Sequence, residues 1–304
     1  MADTILIGLG AQKAATTWLT RELAQHPEVA MASPKELHYW DTVRAPYHAQ
    51  FAERAQARLR RLSGPYGLRR VLPRPWGTPR AAQAEAAAHA ALLRGDGGDH
   101  AAYLAYLRAG AGHARAVGEI TPAYALCASD TFAEMAALSP GTRFLFVMRD
   151  PLARLVSGVR YRALHVARAP EAAAAVAGRA FDAALASPHD PNLRRSLYDE
   201  TIAELEAVVP PDRILYLFYE TLFSDAARDA LTAFLGLSHP PRWQAQRRDN
   251  SGAAVAWAPS EAQLARAAAR LAPTYAALRC RFGDTVPASW GGAPGTETLR
   301  RSAP

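Results

Sequence analysis

Residues 4–26 read TILIGLGAQKAATTWLTRELAQH. The run TILIGL is continuously apolar, rich in branched residues and bounded by Gly10, the pattern of a strand buried on both faces in a parallel sheet. Trp18, Leu19 and Leu23 then recur at helical spacing until His26-Pro27 ends the segment. Strand, glycine-containing turn and helix N-terminus together aim backbone N–H groups at an anion. The strand signal returns in RFLFVM at 143–148, where Arg149 follows and Asp150-Pro151 supply an N-cap and first helical residue for PLARLVSGVRYRAL. It returns again in RILYLFY at 213–219, after the helical pattern YDETIAELEAVV and a PPD turn. Helices between parallel strands predict an α/β protein: a P-loop-like three-layer fold with a central, mostly parallel sheet flanked by helices.

The chain has 304 residues, half of them hydrophobic, enough for a sizeable core. We expect a single domain over 1–290 and a disordered tail over 291–304. Residues 44–115 are rich in alanine and arginine and broken by SGPYG, LPRPWGTP and RGDGGD, so they read as a helical and loop insertion. The functional version of that insertion is a lid or acceptor wall. The segment SEAQLARAAARLAPTYAALRCRF at 260–282 reads as a C-terminal helical pair.

A formal charge of +7 suggests an anionic ligand or substrate, although a solvated arginine surface is the weightier reading of charge alone. The arginines are scattered and no recognition helix or aromatic-basic pattern appears, so no nucleic-acid partner is expected. Cys127 and Cys280 stand far apart without C-x-x-C spacing, which argues against a zinc site or disulfide framework; both read as reduced, buried small residues. The start MADTILIGLG lacks a basic n-region and its apolar run is too short to span a membrane, so the expected location is cytoplasmic.

Of the 35 basic residues only Lys13 and Lys35 are lysine. Lys13 precedes Thr16 and Thr17 at the start of a helix, a point charge, two hydroxyls and the helix dipole available to one oxyanion. The Walker pattern G-x-x-x-x-G-K-[ST] is not met, and a plain strand-to-helix turn with Thr16 or Thr17 as N-cap is the competing reading. Lys35 lies in SPKELHYWD, where Glu36 can serve as a general base and His38 can orient or polarise a partner, against the alternative of an exposed ion pair. Arg149 falls at the carboxyl end of a strand, where open α/β sheets bind ligands, and Ser157 lies two turns along the next helix. Asp150 reads as a helix cap rather than a magnesium ligand.

In their order these segments resemble the sulfotransferases that use 3′-phosphoadenylyl sulfate (PAPS), especially the bacterial and carbohydrate-modifying, heparan-type branch. GAQKAATTWL looks like the family's 5′-phosphosulfate loop, FLFVMRDPLARLVSGVRY like its 3′-phosphate motif, and PKELHYWD like its base-carrying segment. GEITPAYA at 118–125 and YETLFSDAARDALTAFLGL at 219–237 also match. The resemblance implies that Lys13, Ala14, Ala15, Thr16, Thr17 and Trp18 form the donor loop, that Arg149 and Ser157 bind the 3′-phosphate, and that Tyr198 lines the nucleotide site. It further implies Glu36 as base, with Lys13, Lys35 and His38 assisting, PAPS as donor without a metal, and a small-molecule or glycan acceptor. Three departures stand out. Ala15 replaces a glycine, Ile120 stands where some members place a catalytic lysine, and no G-x-x-G-R segment appears near the C-terminus, where Arg247 and Arg248 are the substitute candidates. An ATP-dependent P-loop kinase and a non-catalytic nucleotide-binding protein of the same fold are the alternatives.

Overall fold

The computed structural model describes residues 3–43, 45, 48–63, 79–95, 100–167, 169, 172–240, 243 and 255–291. In chain order its elements are β1 (Thr4–Gly10), α1 (Thr16–Ala24), β2 (Val29–Met31), α2 (His48–Ser63), α3 (Pro79–Leu92), α4 (Ala101–Arg108), β3 (Ala116–Ile120), α5 (Ser129–Ala137), β4 (Thr142–Met148), α6 (Pro151–Val166), α7 (Ala173–Ala186), α8 (Pro191–Arg194), α9 (Tyr198–Glu206), β5 (Ile214–Phe218), α10 (Asp225–Leu235) and α11 (Glu261–Phe282). Five parallel strands pair in the order β2-β3-β1-β4-β5. The sheet is therefore fully parallel, flanked by helices in three layers.

The apolar run of β1 buries Ile5, Leu6, Ile7 and Leu9 completely, as a strand with neighbours on both edges and helices on both faces requires. Its register fixes where the strand ends meet: Gly8 lies opposite Ile120 of β3 and Gly10 opposite Phe146 of β4. The turn after β1 thus emerges between the ends of β3 and β4. Gly10 has φ +116, and a Cβ there would sit 3.1 Å from both the Gln12 nitrogen and Pro122 Cα, so the turn needs glycine on conformational and steric grounds.

Asp150 caps α6 as expected, its side chain accepting from the Ala153 N–H at 2.7 Å, with Pro151 at the first helical position. Two expectations are corrected. The segment at 260–282 forms one 22-residue helix, α11, with Pro273 inside it. Buried Leu264, Ala267, Leu271, Tyr275 and Leu278 lie on both sides of the proline, and Ser260 and Gln263 form a capping box, so packing and capping offset the lost backbone bond. Cys280 is exposed on that helix, whereas Cys127 is half-buried; both are free. The predicted tail lies, apart from Gly291, outside the described residues, as do Arg247 and Arg248. Among the described residues no helix is long and apolar enough to cross a membrane.

Candidate functional site

The site is built from the carboxyl ends of β1, β3 and β4. The loop after β1 enters α1 at Ala15, which occupies the N-cap position in the left-handed region, φ 59 and ψ 22, with no side-chain cap bond. This corrects the threonine-cap alternative: Thr16 and Thr17 are the first helical residues, and Thr16 receives a hydrogen bond from Lys35. Lys13 also has positive φ, +73. Its backbone carbonyl accepts a hydrogen bond from Arg149 Nη1 at 3.2 Å, which ties the β1 loop to the end of β4. The Lys13 ammonium lies 4.6 Å from the centre of the Tyr161 ring on α6. Ser157 lies one turn earlier than Tyr161, on the same face of α6, and is half-buried.

Positive charge accumulates here. Burial lowers the Lys13 pKa, and the nearby Arg149 and Arg154 guanidiniums lower it further. Arg149 stacks over Tyr219 at 4.9 Å. Arg154 is entirely buried; its Nη2 donates to the Asn192 carbonyl at 2.7 Å, while its Nε and Nη1 meet no hydrogen-bond partner among the described residues. Burial brings even this guanidinium down to about 10. A buried cation without a salt-bridged carboxylate among the described residues is costly, and it adds to the positive potential behind Lys13. The candidate residues therefore suit an anionic ligand.

Tyr198 is fully buried behind Arg149. Its hydroxyl donates to the Arg149 carbonyl at 3.0 Å and accepts from the Arg149 N–H at 3.5 Å, so it reaches the site through that backbone. Ala14 is buried, and Trp18 anchors α1 against Phe223 and Trp243 with ring centres at 4.7 and 5.1 Å. Asp150 is engaged on both oxygens, by the Ala153 N–H and, at 3.0 Å, by the Tyr275 hydroxyl. That is the arrangement of a cap rather than of a carboxylate turned toward an ion.

The second half of the site follows β2. Lys35 Nζ donates to Glu36 Oε1 at 2.6 Å and lies 3.4 Å from Thr16 Oγ1. His38 sits 3.6 Å from Glu36 through Nε2 and 2.9 Å from Asp41 through Nδ1. Burial alone would raise the Glu36 carboxyl, but the His38 and Lys35 cations outweigh it and hold the group at about 2. Burial opposes the positive charge of His38, and the two carboxylates overcome it, raising the imidazole to about 9. His38 is an imidazolium at neutral pH. The loop 36–39 has no strand ladder of its own; side chains of β3 and of the turn after it bond two of its N–H groups, Leu37 N to Glu119 and Thr121, and Tyr39 N to Tyr124.

The structure brings Lys13, Thr16, Lys35, Glu36, His38 and Arg149 together at the carboxyl end of the sheet. Reading the sequence missed three contributors. Tyr161 and Arg154 lie in the quoted β4–α6 segment, and the spacing of four residues from Ser157 would have flagged Tyr161. Glu119 lies in GEITPAY, and only tertiary contacts reveal its part.

The chain belongs to the sulfotransferase family, whose model matches residues 6–241. Among solved structures it is similar to a sulfotransferase from Alicyclobacillus acidocaldarius, with a TM-score of 0.57 and 17% identity over 92% of this chain and 96% of that one. It is also similar to a sulfotransferase domain from the Synechococcus PCC 7002 olefin synthase (TM-score 0.48, 20% identity, 98% and 92% covered). A third likeness is to a sulfotransferase domain from the curacin biosynthetic pathway (TM-score 0.47, 16% identity, 83% and 81% covered). The first of these carries the shared fold. No curated protein matches the chain.

Proposed function

We propose that the protein transfers a sulfuryl group from PAPS to an acceptor hydroxyl, with a carbohydrate or glycoconjugate as the favoured acceptor class and Glu36 as general base. One observation carries this reading: the Lys35 ammonium touches both Thr16 of the anion loop and the Glu36 carboxylate, so the donor loop and the base stand within the reach of one side chain. When bound, PAPS supplies the sulfuryl group and a nucleotide leaving group. Lys13, Thr16, Thr17 and the uncapped N-terminus of α1 would hold its 5′ end, and Arg149 with Ser157 its 3′-phosphate. Positioning and charge stabilisation dominate such in-line transfers.

The resting electrostatics support a division of labour. A carboxylate held at about 2 is a weak proton acceptor while Lys35 and His38 both face it. Movement of the Lys35 ammonium from Glu36 toward anionic charge at Thr16 would raise the carboxyl and strengthen it as a base. His38 then keeps Glu36 oriented, and Lys13 neutralises charge on the leaving phosphate. The insertion 44–115 approaches the base loop through His89, which contacts the Leu37 carbonyl at 3.0 Å, and through Tyr106, whose hydroxyl meets the Ser33 carbonyl. This supports its reading as an acceptor wall within one domain spanning 1–290.

The test compares thermal stabilisation by 3′,5′-ADP, by PAPS and by ATP with magnesium. Stabilisation by the first two is expected, and stabilisation by ATP-magnesium alone would reject the reading in favour of a kinase. With PAPS and a pool of oligosaccharides and phenols, Glu36→Gln should retain 3′,5′-ADP binding while transfer, scored as the added mass of one sulfuryl group, falls on the order of a hundred-fold or more. Wild-type turnover in that variant would remove Glu36 as base.

A further inference from the structure

Glu119 is a fully buried carboxylate at the end of β3 that the mechanism above does not use. Four donors converge on it. Oε2 accepts from the Thr121 hydroxyl at 2.6 Å and the Leu37 N–H at 3.2 Å, and Oε1 accepts from the Tyr103 and Tyr124 hydroxyls, both at 2.7 Å. Two of these hydroxyls have a second task. Thr121 Oγ1 accepts from Leu37 N at 3.0 Å, and the Tyr124 oxygen accepts from Tyr39 N at 3.1 Å. A hydroxyl that accepts an N–H turns its own proton outward, so both of these donate to Glu119.

We propose that Glu119 is a positioning residue for the base loop: directly and through Thr121 and Tyr124 it fixes the N–H groups of Leu37 and Tyr39, on either side of His38. The proposal rests on the reading of Glu36 as base. Its physical content is that Glu36 and His38 occupy irregular backbone, with His38 at φ +54, a conformation costly for a side chain larger than glycine. Neighbouring strands do not hold this loop. A carboxylate can accept four bonds on its two oxygens, whereas an amide in its place has one oxygen and two donors that would face hydroxyl protons. Tyr103 of α4 extends the same cluster into the insertion, so the wall and the base loop share one buried anchor.

Tyr103 and Tyr124 provide an internal control. Each is fully buried and gives one 2.7 Å bond to the same oxygen, but only Tyr124 also holds the loop N–H. Tyr124→Phe should therefore cost more stability than Tyr103→Phe, because it also strips the buried Tyr39 N–H of its acceptor, and the two should differ at the site. The readout is the NMR titration of the His38 imidazole in the full chain. This ring faces Glu36 and Asp41 on its own loop and Phe51 on α2, with His89 of α3 nearby. In the wild type its midpoint is expected at about 9. Tyr124→Phe should move the midpoint down by about one pH unit or more, Glu119→Gln at least as far, and Tyr103→Phe should leave it in place. Transfer from PAPS to the acceptor pool should fall on the order of ten- to a hundred-fold in Tyr124→Phe, with stabilisation by 3′,5′-ADP kept, because the donor loop lies outside the clamp. Equal His38 midpoints in the two phenylalanine variants would overturn the proposal even if Glu119→Gln does not fold. The base reading fails by a different result, full turnover in Glu36→Gln, so the two failures are separable.

Discussion

Ala15 shows how one side chain records a compromise in the anion loop. It holds φ 59 at the N-cap of α1, a region that disfavours a Cβ, at the position where the resembling family uses glycine. Ala15→Gly should remove that strain at some cost in unfolded-chain entropy, for a net gain of about 0.5–1 kcal/mol, measured by urea unfolding. His38 gives a pH signature. Its imidazolium is held by Asp41 and Glu36 up to about 9, compared with the ordinary 6.5. A raised histidine pKa means that the pairing stabilises fully below pH 6.5 and is lost as pH rises through 9. Unfolding measured across that interval should show stability falling with pH, and His38→Asn should flatten the component. A wild-type slope equal to that of His38→Asn would contradict the ion triad. Glu36 is two-fifths exposed in its side chain, so solvent screening keeps its share of this effect small.

At the scale of elements, α6 does two jobs. Its start is fixed by Asp150, which caps the Ala153 N–H and receives the Tyr275 hydroxyl from α11. Burial raises the Asp150 carboxyl, and the Ala153 and Tyr275 donors work against that. Asp150→Ala should cost about 1–2 kcal/mol from the cap alone, and Asp150→Asn less, because the amide oxygen can still accept from Ala153; thermal unfolding distinguishes them. Further along, the face of α6 carrying Ser157 and Tyr161 looks onto Lys13, so the helix delivers a half-exposed aromatic ring to the loop after β1. Gly158 makes room for this packing: a Cβ there would lie 2.7 Å from the buried Arg154 Nη2. The same helix thus seats a buried cation, a candidate phosphate ligand and a cover for the lysine.

At the scale of the whole molecule, the parallel sheet places its carboxyl ends together, and the candidate residues reach that end from separate stretches of chain, among them the loop after β1, the loop after β2 and the end of β4. Much of this was legible in advance. The apolar run 4–9, the strand 143–148 and the Asp150-Pro151 helix start are local signals, because a strand buried on both faces needs continuous hydrophobicity and a helix start needs a cap. The strands β2 and β3 were not legible: VAM is only three residues long, and AVGEI carries a glycine and a charged residue inside a buried strand. What permits Glu119 there is the four donors that meet it, drawn from residues 2 to 82 positions away.

The sequence by itself determined the fold class and the family, since the strand and helix signals and the ordered motifs that resemble the family are written in contiguous residues. Only the tertiary structure decided that Ala15 rather than a threonine caps α1, that Tyr161 covers Lys13, and that Arg154 is fully buried, with no salt bridge among the described residues. It also decided that Lys35 reaches both Thr16 and Glu36, and that the buried Glu119 carboxylate accepts from the Leu37 N–H. These facts depend on which strand ends the register brings side by side and on the burial that follows, and both are properties of the packed molecule.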